Sequence, residues 1–104
     1  PCPRAAHAAS AIESNQIVIY SGATGGGQLA PDDLYLFDLK HDTPTWTLVL
    51  TQGRTPGKRY GHSITYNRPH LVIFGGNTGS ETVNDVWILN VEKSPFSWQK
   101  IDCN

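Results

Sequence analysis

The chain alternates short runs of β-branched, aromatic and aliphatic residues with polar turns. Gly or Pro interrupts the sequence so often that only two stretches without either exceed 12 residues, at residues 4–21 and 80–94. The three- and four-residue apolar spacing of an amphipathic helix is absent. The apolar runs have high β propensity and predict eight strands. These strands are residues 7–12, 17–20, 33–39, 46–50, 62–66, 71–74, 85–91 and 98–101.

Two of these strands, at residues 33–39 and 85–91, carry apolar residues on both faces. Such strands are typical of sheets packed between neighbouring sheets, because a sheet with one face in water alternates apolar and polar residues. The pattern therefore predicts sheets that pack face to face.

The second half of the chain repeats the first. The offset between the copies falls from 55 to 54 to 52 residues along the chain, and each change lies between predicted strands. The matched pairs are Arg4 and Arg59, His7 and His62, Gly22 and Gly76, Asp33 and Asp85, and Trp46 and Trp98. The sequence therefore contains two repeats of four strands each.

Each copy reads Arg-x-x-His, a strand, a second strand closed by Ser-Gly or Gly-Gly, a loop, an Asp before an apolar strand, and a Trp. This order resembles the kelch repeat, a four-stranded β-propeller blade with a double glycine after its second strand, here Gly75 and Gly76. The resemblance implies an all-β fold of two four-stranded antiparallel kelch blades, a fragment of a β-propeller. Blade one is expected at about residues 3–50 and blade two at about 58–101, within a partial propeller spanning 1–104.

Longer sequence strings narrow the resemblance to one group of kelch-repeat proteins. Residues 3–9, 32–39, 57–62 and 84–90 read PRAAHAA, DDLYLFDL, GKRYGH and NDVWILN. They are similar to adjacent blades of the kelch-domain Ser/Thr protein phosphatases of plants and apicomplexan parasites, which carry a C-terminal metallophosphatase domain. The resemblance implies a non-catalytic, protein-binding and regulatory module. The two divalent metals of such an enzyme would belong to a phosphatase domain outside these residues.

No catalytic residue, metal site or cofactor is predicted within this chain. A two-metal phosphatase needs clustered Asp, His and Asn ligands on strings such as GDxHG, GDxxDRG and GNHE, and none occurs here. The Gly-rich stretch 22–27 lacks the Lys-Ser/Thr and the following helix of a phosphate-binding loop. It is interpreted as a flexible connection.

The repeated polar residues are interpreted as structural, because a single active site does not need the same residue twice. His7 and His62 are expected to hydrogen-bond backbone at the start of their strands, and Arg4 and Arg59 to hold turn carbonyls.

The remaining histidines, His41 and His70, are expected in solvated turns. The aromatic pairs at matched positions are predicted in the core. They are Trp46 with Trp98, and Tyr35 with Trp87.

Strand direction sorts the connections by face. In each repeat the connection between the second and third strands (23–32 and 77–84) lies on the same face as the link between the repeats (51–58). Six polar residues on this face form the candidate binding surface for a protein or peptide: Gln28, Arg54, Lys58, Asn77, Thr78 and Glu81. Simple solvation of these side chains is the alternative.

Composition and charge limit the partners. Lys and Arg number 8 against 9 Asp and Glu, so the net charge of -1 gives no general attraction to nucleic acid or anionic lipid. No apolar stretch approaches the ~20 residues of a membrane-spanning helix, and residues 1–10 lack the apolar core of a signal peptide. Cys2 and Cys103 are interpreted as free thiols, and no Asn-x-Ser/Thr site occurs. These features favour the cytosol or the nucleus.

Two other functions remain open. One is a substrate-adaptor kelch domain of the ubiquitin-ligase or cytoskeletal type. The other is a piece of a propeller enzyme with its site in the central channel, although the predicted inner strands offer small residues such as Ala8, Ser10 and Thr65.

A two-blade chain also leaves two apolar sheet faces uncovered. Such a chain is expected to self-associate, with a cyclic trimer as one closed arrangement.

Overall fold

The structure is a computed structural model that describes residues 1–13, 15–40 and 42–102. His41 and Cys103, for which the sequence predicts a solvated turn and a free thiol, lie outside the described residues. The first sheet has the antiparallel order β1-β2-β3-β4. Its strands are β1 (Ala8–Ile12), β2 (Gln16–Tyr20), β3 (Leu34–Asp38) and β4 (Trp46–Val49).

The second sheet has the order β5-β9-β8-β7-β6. Its strands are β5 (Thr51–Gln52), β6 (Ser63–Asn67), β7 (His70–Asn77), β8 (Thr82–Asn90) and β9 (Phe96–Ile101). Four of them pair antiparallel and match the four strands of the first sheet. The prediction of an all-β fold is confirmed.

The short strand β5 was not predicted from the sequence. It lies in the link between the repeats and pairs in parallel with the start of β9, with Thr51 opposite Phe96 and Gln52 opposite Ser97. The indole Nε1 of Trp98 donates a hydrogen bond to the Thr51 hydroxyl at 3.0 Å. The chain therefore runs along the outer edge of the second sheet before it enters β6.

The two sheets pack face to face around one apolar core. Tyr20 on β2 and Trp98 on β9 lie across the boundary with ring centroids 5.4 Å apart. The Gly61 N–H donates to the Ala6 carbonyl at 2.8 Å, next to the innermost strands β1 and β6. The buried residues of the core are Ile12, Val18, Tyr20, Leu34, Leu71, Ile73, Trp87, Leu89 and Trp98.

The prediction that Trp46 lies in the core is wrong. Trp98 is 7% exposed, whereas its counterpart Trp46 is 41% exposed. The cross-strand register places Trp46 opposite Phe37, on the face of the first sheet that points away from the second. That face has no sheet packed against it among the described residues, so the same position is covered in one repeat and open in the other.

Two smaller expectations are also corrected. His70 is half-buried at the first position of β7 rather than solvated in a turn, because the hairpin pairs it with Asn67 and Asn90. Asn77, predicted in a loop, is the last residue of β7 and pairs with Thr82. The connection between β7 and β8 is therefore a short turn at residues 78–81.

Candidate functional site

Three segments meet at one end of the two sheets. Ala5 and Ala23 exchange backbone hydrogen bonds of 2.8 and 2.7 Å, which join the entry of the first repeat to its β2–β3 connection. Tyr60 and Asn77 exchange bonds of 3.0 and 2.8 Å at the equivalent place in the second repeat. We call this end, residues 22–33, 53–61 and 78–81, the loop face.

The link between the repeats is fixed to the first repeat by side chains. The Thr55 hydroxyl donates to the Asp32 carboxylate at 2.6 Å and accepts from the Gly57 N–H at 3.2 Å. The Tyr20 hydroxyl donates to the Gly57 carbonyl at 3.0 Å. The hydrogen bonds of Tyr20, Thr55 and Asp32 therefore fix the shape of the loop face, and its exposed polar side chains take no part in them.

Four of the six predicted binding residues are exposed on this face, namely Gln28, Arg54, Lys58 and Glu81. Their side chains form no hydrogen bond or ion pair with another described residue, so their polar groups face solvent.

The other two predicted residues, Asn77 and Thr78, build the turn instead. The Asn77 side-chain oxygen accepts from the Gly79 N–H at 2.7 Å, and the Thr78 hydroxyl donates to the Glu81 carbonyl at 3.3 Å. Their role is to position Glu81.

Arg59 lies directly beneath the loop face and is 2% exposed. Its guanidinium donates to both carboxylate oxygens of Asp85, at 2.7 and 3.1 Å, and to the carbonyls of Gly75 and Pro56. Its backbone joins the two repeats, since its N–H donates to the Ser21 hydroxyl at 3.0 Å. A guanidinium with this many fixed partners sets the positions of the surrounding turns.

Asp85, which is half-buried, completes the ion pair with buried Arg59. It also accepts from the Trp87 indole Nε1 at 2.9 Å. The hydrogen bonds from Arg59 hold the pKa of the Asp85 carboxyl below its ordinary value, and the Trp87 bond adds to that shift. The carboxylate stays charged and serves the structure.

The counterparts in the first repeat, Arg4 and Asp33, form no ion pair within the described parts of the chain. Arg4 donates to the Ser21 carbonyl at 3.0 Å and lies over the Tyr35 ring, 5.8 Å from its centroid. Arg59 is covered by the first sheet, whereas none of the described sheets covers Arg4. The matched residues therefore differ in environment although the sequence repeats.

In each repeat the matched histidine packs against the matched glycine, His7 against Gly22 and His62 against Gly76. A Cβ on Gly22 would lie 2.8 Å from the His7 Cβ, and one on Gly76 would lie 2.9 Å from the His62 Cβ. Both glycines also have positive φ, at +116° and +102°. Only glycine fits this close approach with this backbone geometry.

Neither histidine forms the expected backbone hydrogen bond at standard geometry among the described residues, although the Tyr20 backbone lies close enough to act on His62. His7 is exposed, and both ring nitrogens of buried His62 lack a partner at hydrogen-bonding geometry. The His62 ring instead meets the Tyr20 ring edge-on, with centroids 5.8 Å apart. Burial lowers the pKa of His62. The Tyr20 backbone opposes this shift, whereas nearby Arg59 and His7 lower the pKa further.

This environment predicts a loss of stability in acid. The folded state holds His62 neutral with a lowered pKa, whereas the unfolded chain protonates it near pH ~6.5. The stability is fully present above that pH and falls as the pH drops below it. Urea unfolding of His62→Phe, which keeps an aromatic ring beside Tyr20, should show a weaker pH dependence between about pH 7.5 and 5. The control His70→Gln, at a histidine that does not act on the pKa of His62, should keep the wild-type dependence, and an unchanged slope in His62→Phe would contradict this assignment.

The loop face offers exposed polar side chains on a shallow surface. A shallow depression of about 330 Å³ opens beside Arg4 on the loop face, lined mainly by small residues of segments 3–5 and 23–25. No group of His, Cys, Asp and Glu within the described ranges can hold a metal ion. No helix in the same part of the chain is long and apolar enough to cross a membrane.

Curated proteins of several kinds are similar to this chain in sequence. The chain is 38% identical to the serine/threonine-protein phosphatase BSL2 of Arabidopsis thaliana, over 98% of this chain and 10% of that protein. It is 32% identical to the flagellar outer-arm dynein alpha chain of Chlamydomonas reinhardtii, over 97% of this chain and 2% of that protein. A Rab9 effector protein with kelch motifs from Xenopus laevis is 32% identical over 86% of this chain and 24% of its own length. The chain thus spans at most about a quarter of each of these relatives.

The fold is also found among solved structures. The structure of YjhT superposes with a TM-score of 0.71 over 97% of this chain and 28% of that one, at 24% identity. Residues 1–104 match the family described as the KLHDC2/KLHL20/DRC7 Kelch-repeats domain. The two sheets with their matched Arg, His, Gly and Trp positions are thus kelch blades, and the chain belongs to the kelch-repeat family.

Proposed function

We propose that this chain is a non-catalytic protein-interaction module that regulates a Ser/Thr protein phosphatase of which it forms a part. The observation that carries the binding role is the loop face, where Gln28, Arg54, Lys58 and Glu81 project from loops that buried bonds hold in place. Binding residues are commonly carried on loops that a rigid scaffold positions. The similarity to the plant phosphatase, over nearly the whole chain, supports the choice of parent enzyme.

Charge reversal on the loop face tests this proposal. Arg54→Glu with Lys58→Glu is expected to reduce capture of partner proteins from plant extract several-fold, because rim charges steer and orient encounters. The matched control is Lys40→Glu with Lys93→Glu, two exposed lysines in turns at the opposite end. Both double variants should unfold within about 0.5 kcal/mol of wild type per substitution. Equal loss of the same proteins in the two variants would refute the loop face as the binding surface.

An adaptor role is the second candidate. The dynein chain and the Rab9 effector among the relatives favour it, because kelch blades occur in those proteins without a phosphatase name. Sequencing the gene beyond Asn104 separates the candidates. A GDxHG string downstream supports the phosphatase parent, and its absence from the complete reading frame favours the adaptor.

The isolated chain is expected to associate with itself. Trp46 on the free face of blade one is 41% exposed, and Phe74 on the free face of blade two is 50% exposed. These faces are the repeat equivalents of the two that pack inside the chain, so a second copy can join head to tail. In blade two, Phe74 and Gly75 occupy the positions of Tyr20 and Ser21 in blade one. The contact between two copies therefore lacks the hydrogen bonds that the Tyr20 and Ser21 hydroxyls make with Gly57 and Arg59 inside one chain.

Self-association should therefore be reversible and dependent on concentration. Sedimentation equilibrium should show the average mass rising with protein concentration, and Phe74→Lys should reduce that rise. A mass that stays monomeric over the accessible concentration range would overturn the expectation.

A further inference from the structure

The outer strand of blade one carries apolar side chains that packing between blades does not explain. Leu48 is 46% exposed and Leu50 is 80% exposed. Together with Trp46 they occupy alternate positions along and just beyond β4. We call Trp46, Leu48 and Leu50 the rim strip.

The second repeat shows what blade packing covers at these positions. Its equivalents are Trp98, Lys100 and Asp102, on a face that blade one does cover. Trp98 is buried there, but Lys100 and Asp102 remain exposed. A blade placed before blade one would therefore cover Trp46 and leave the two leucines in water.

The backbone edge beside the rim strip is also open. β4 pairs with β3 on one side and with no strand on the other within the described residues. The equivalent edge of β9 accepts the extended segment β5, so an outer edge of a blade in this protein can take an added strand. β5 covers only the start of β9, opposite Phe96 and Ser97.

β4 lacks the charge, the proline and the bulge that commonly protect such an edge. Exposed edge strands are commonly shielded by a lysine, a proline or a bulge. β9 carries Lys100, whereas Trp46–Val49 contains no charged residue and no proline and pairs without a register shift. The two repeats thus differ at the position where a charge discourages pairing.

We propose that the outer edge of β4 binds an extended segment of a partner protein, which adds as a strand and places alternate apolar side chains on Leu48 and Leu50. Main-chain hydrogen bonds to the free edge supply affinity, and the rim strip supplies side-chain selectivity. A second copy is the less favoured occupant. Four strand residues and three apolar side chains cover far less than the roughly 800 Å² per partner of a stable interface. This surface lies at the outer rim and is separate from the loop face, so it does not depend on the function proposed above.

A synthetic peptide in which leucine alternates with threonine, flanked by lysines, provides the probe. Binding is measured by fluorescence anisotropy of the labelled peptide, at a protein concentration below the onset of self-association. Amide hydrogen exchange measured by NMR then locates the bound peptide. The β4 amides that are not bonded to β3 should become protected from exchange. Leu48→Lys with Leu50→Asp, which installs the residues of the second repeat, should weaken binding by about tenfold or more.

The control is Phe74→Lys, which removes a similarly exposed apolar residue from the interior strand β7 and should leave the affinity unchanged. All substitutions are at exposed positions, and circular dichroism melts verify the fold. Equal weakening by Phe74→Lys would identify general apolar adhesion and overturn the proposal. Retained affinity in the Leu48 and Leu50 variant would do the same. Light scattering tests the other occupant. If the protein forms dimers without peptide, and if the Leu48 and Leu50 variant abolishes them while Phe74→Lys does not, the edge binds a second copy and the proposal is overturned.

Discussion

Replacing Arg59 with alanine is expected to lower the free energy of unfolding by about 3–5 kcal/mol. The substitution removes the buried partner of an ion pair and leaves the half-buried Asp85 carboxylate with a single side-chain donor, Trp87. It also leaves the carbonyls of Gly75 and Pro56 without their guanidinium donor. An unpaired buried charge costs more than the net value of the pair, which is why the effect is large.

The matched control is Arg4→Ala, which should lower the free energy of unfolding by only about 1 kcal/mol. Arg4 is half-buried and has no carboxylate partner among the described residues, although it holds the same place in its repeat. Urea unfolding with an unchanged m value measures both variants. Equal losses in the two would contradict the assignment of Arg59 as the buried anchor of the loop face.

Trp98→Ala is expected to lower the free energy of unfolding by about 3–5 kcal/mol. The indole fills the space between the blades against Tyr20 and bonds the Thr51 hydroxyl that fixes β5. Removing it leaves a cavity in the only core that both blades share within the described chain. Because the ring packs against both, its loss also loosens the contact of blade one with blade two.

Trp46→Ala provides the comparison within the same repeat pattern. Trp46 is 41% exposed and contacts Phe37 at its own sheet surface, with centroids 4.9 Å apart, so about 1 kcal/mol of loss is expected. Thermal unfolding followed by near-ultraviolet circular dichroism distinguishes the two. A Trp46 variant as unstable as the Trp98 variant would mean that blade one has a cover that the structure does not describe.

The repeat made most of the fold predictable. Apolar runs of high β propensity predicted eight strands, and the matched Arg, His, Gly and Trp residues grouped them into two sets of four. The structure has a strand at each of these places. The face-to-face packing followed from strands that are apolar on both sides, such as β3 and β8. Local sequence was sufficient here because period-two patterns and glycine-marked turns determine strands without knowledge of distant contacts.

The features that were missed depend on distant partners. β5 has only two residues, and its pairing with β9 comes from a strand far along the chain. The exposure of Trp46 depends on whether a blade lies in front of it, which the repeated sequence alone cannot distinguish from Trp98. His62 was expected to bond backbone, but the ring turned out to meet the Tyr20 ring, a contact between repeats.

The candidate site was partly predictable for the same reason. Strand direction fixed which loops share a face, so strand order alone placed Gln28, Arg54, Lys58 and Glu81 on one exposed face, and their binding role stays a prediction. The bonds that support them involve Tyr20 and Thr55. One difference between the repeats could have indicated the Tyr20 bond from sequence. The second repeat has Phe74 where the first has Tyr20, which suggests that the Tyr20 hydroxyl has a specific partner.

The claim on which the account depends is that the two repeats pack as neighbouring kelch blades. Nuclear Overhauser spectroscopy tests it most directly through protons that only this packing brings together. The account predicts cross-peaks from the Tyr20 ring to both the Trp98 indole and the His62 ring, since the centroids lie 5.4 and 5.8 Å apart. Strong cross-peaks within each sheet but none between Tyr20 and either ring, in a sample that unfolds cooperatively, would contradict it.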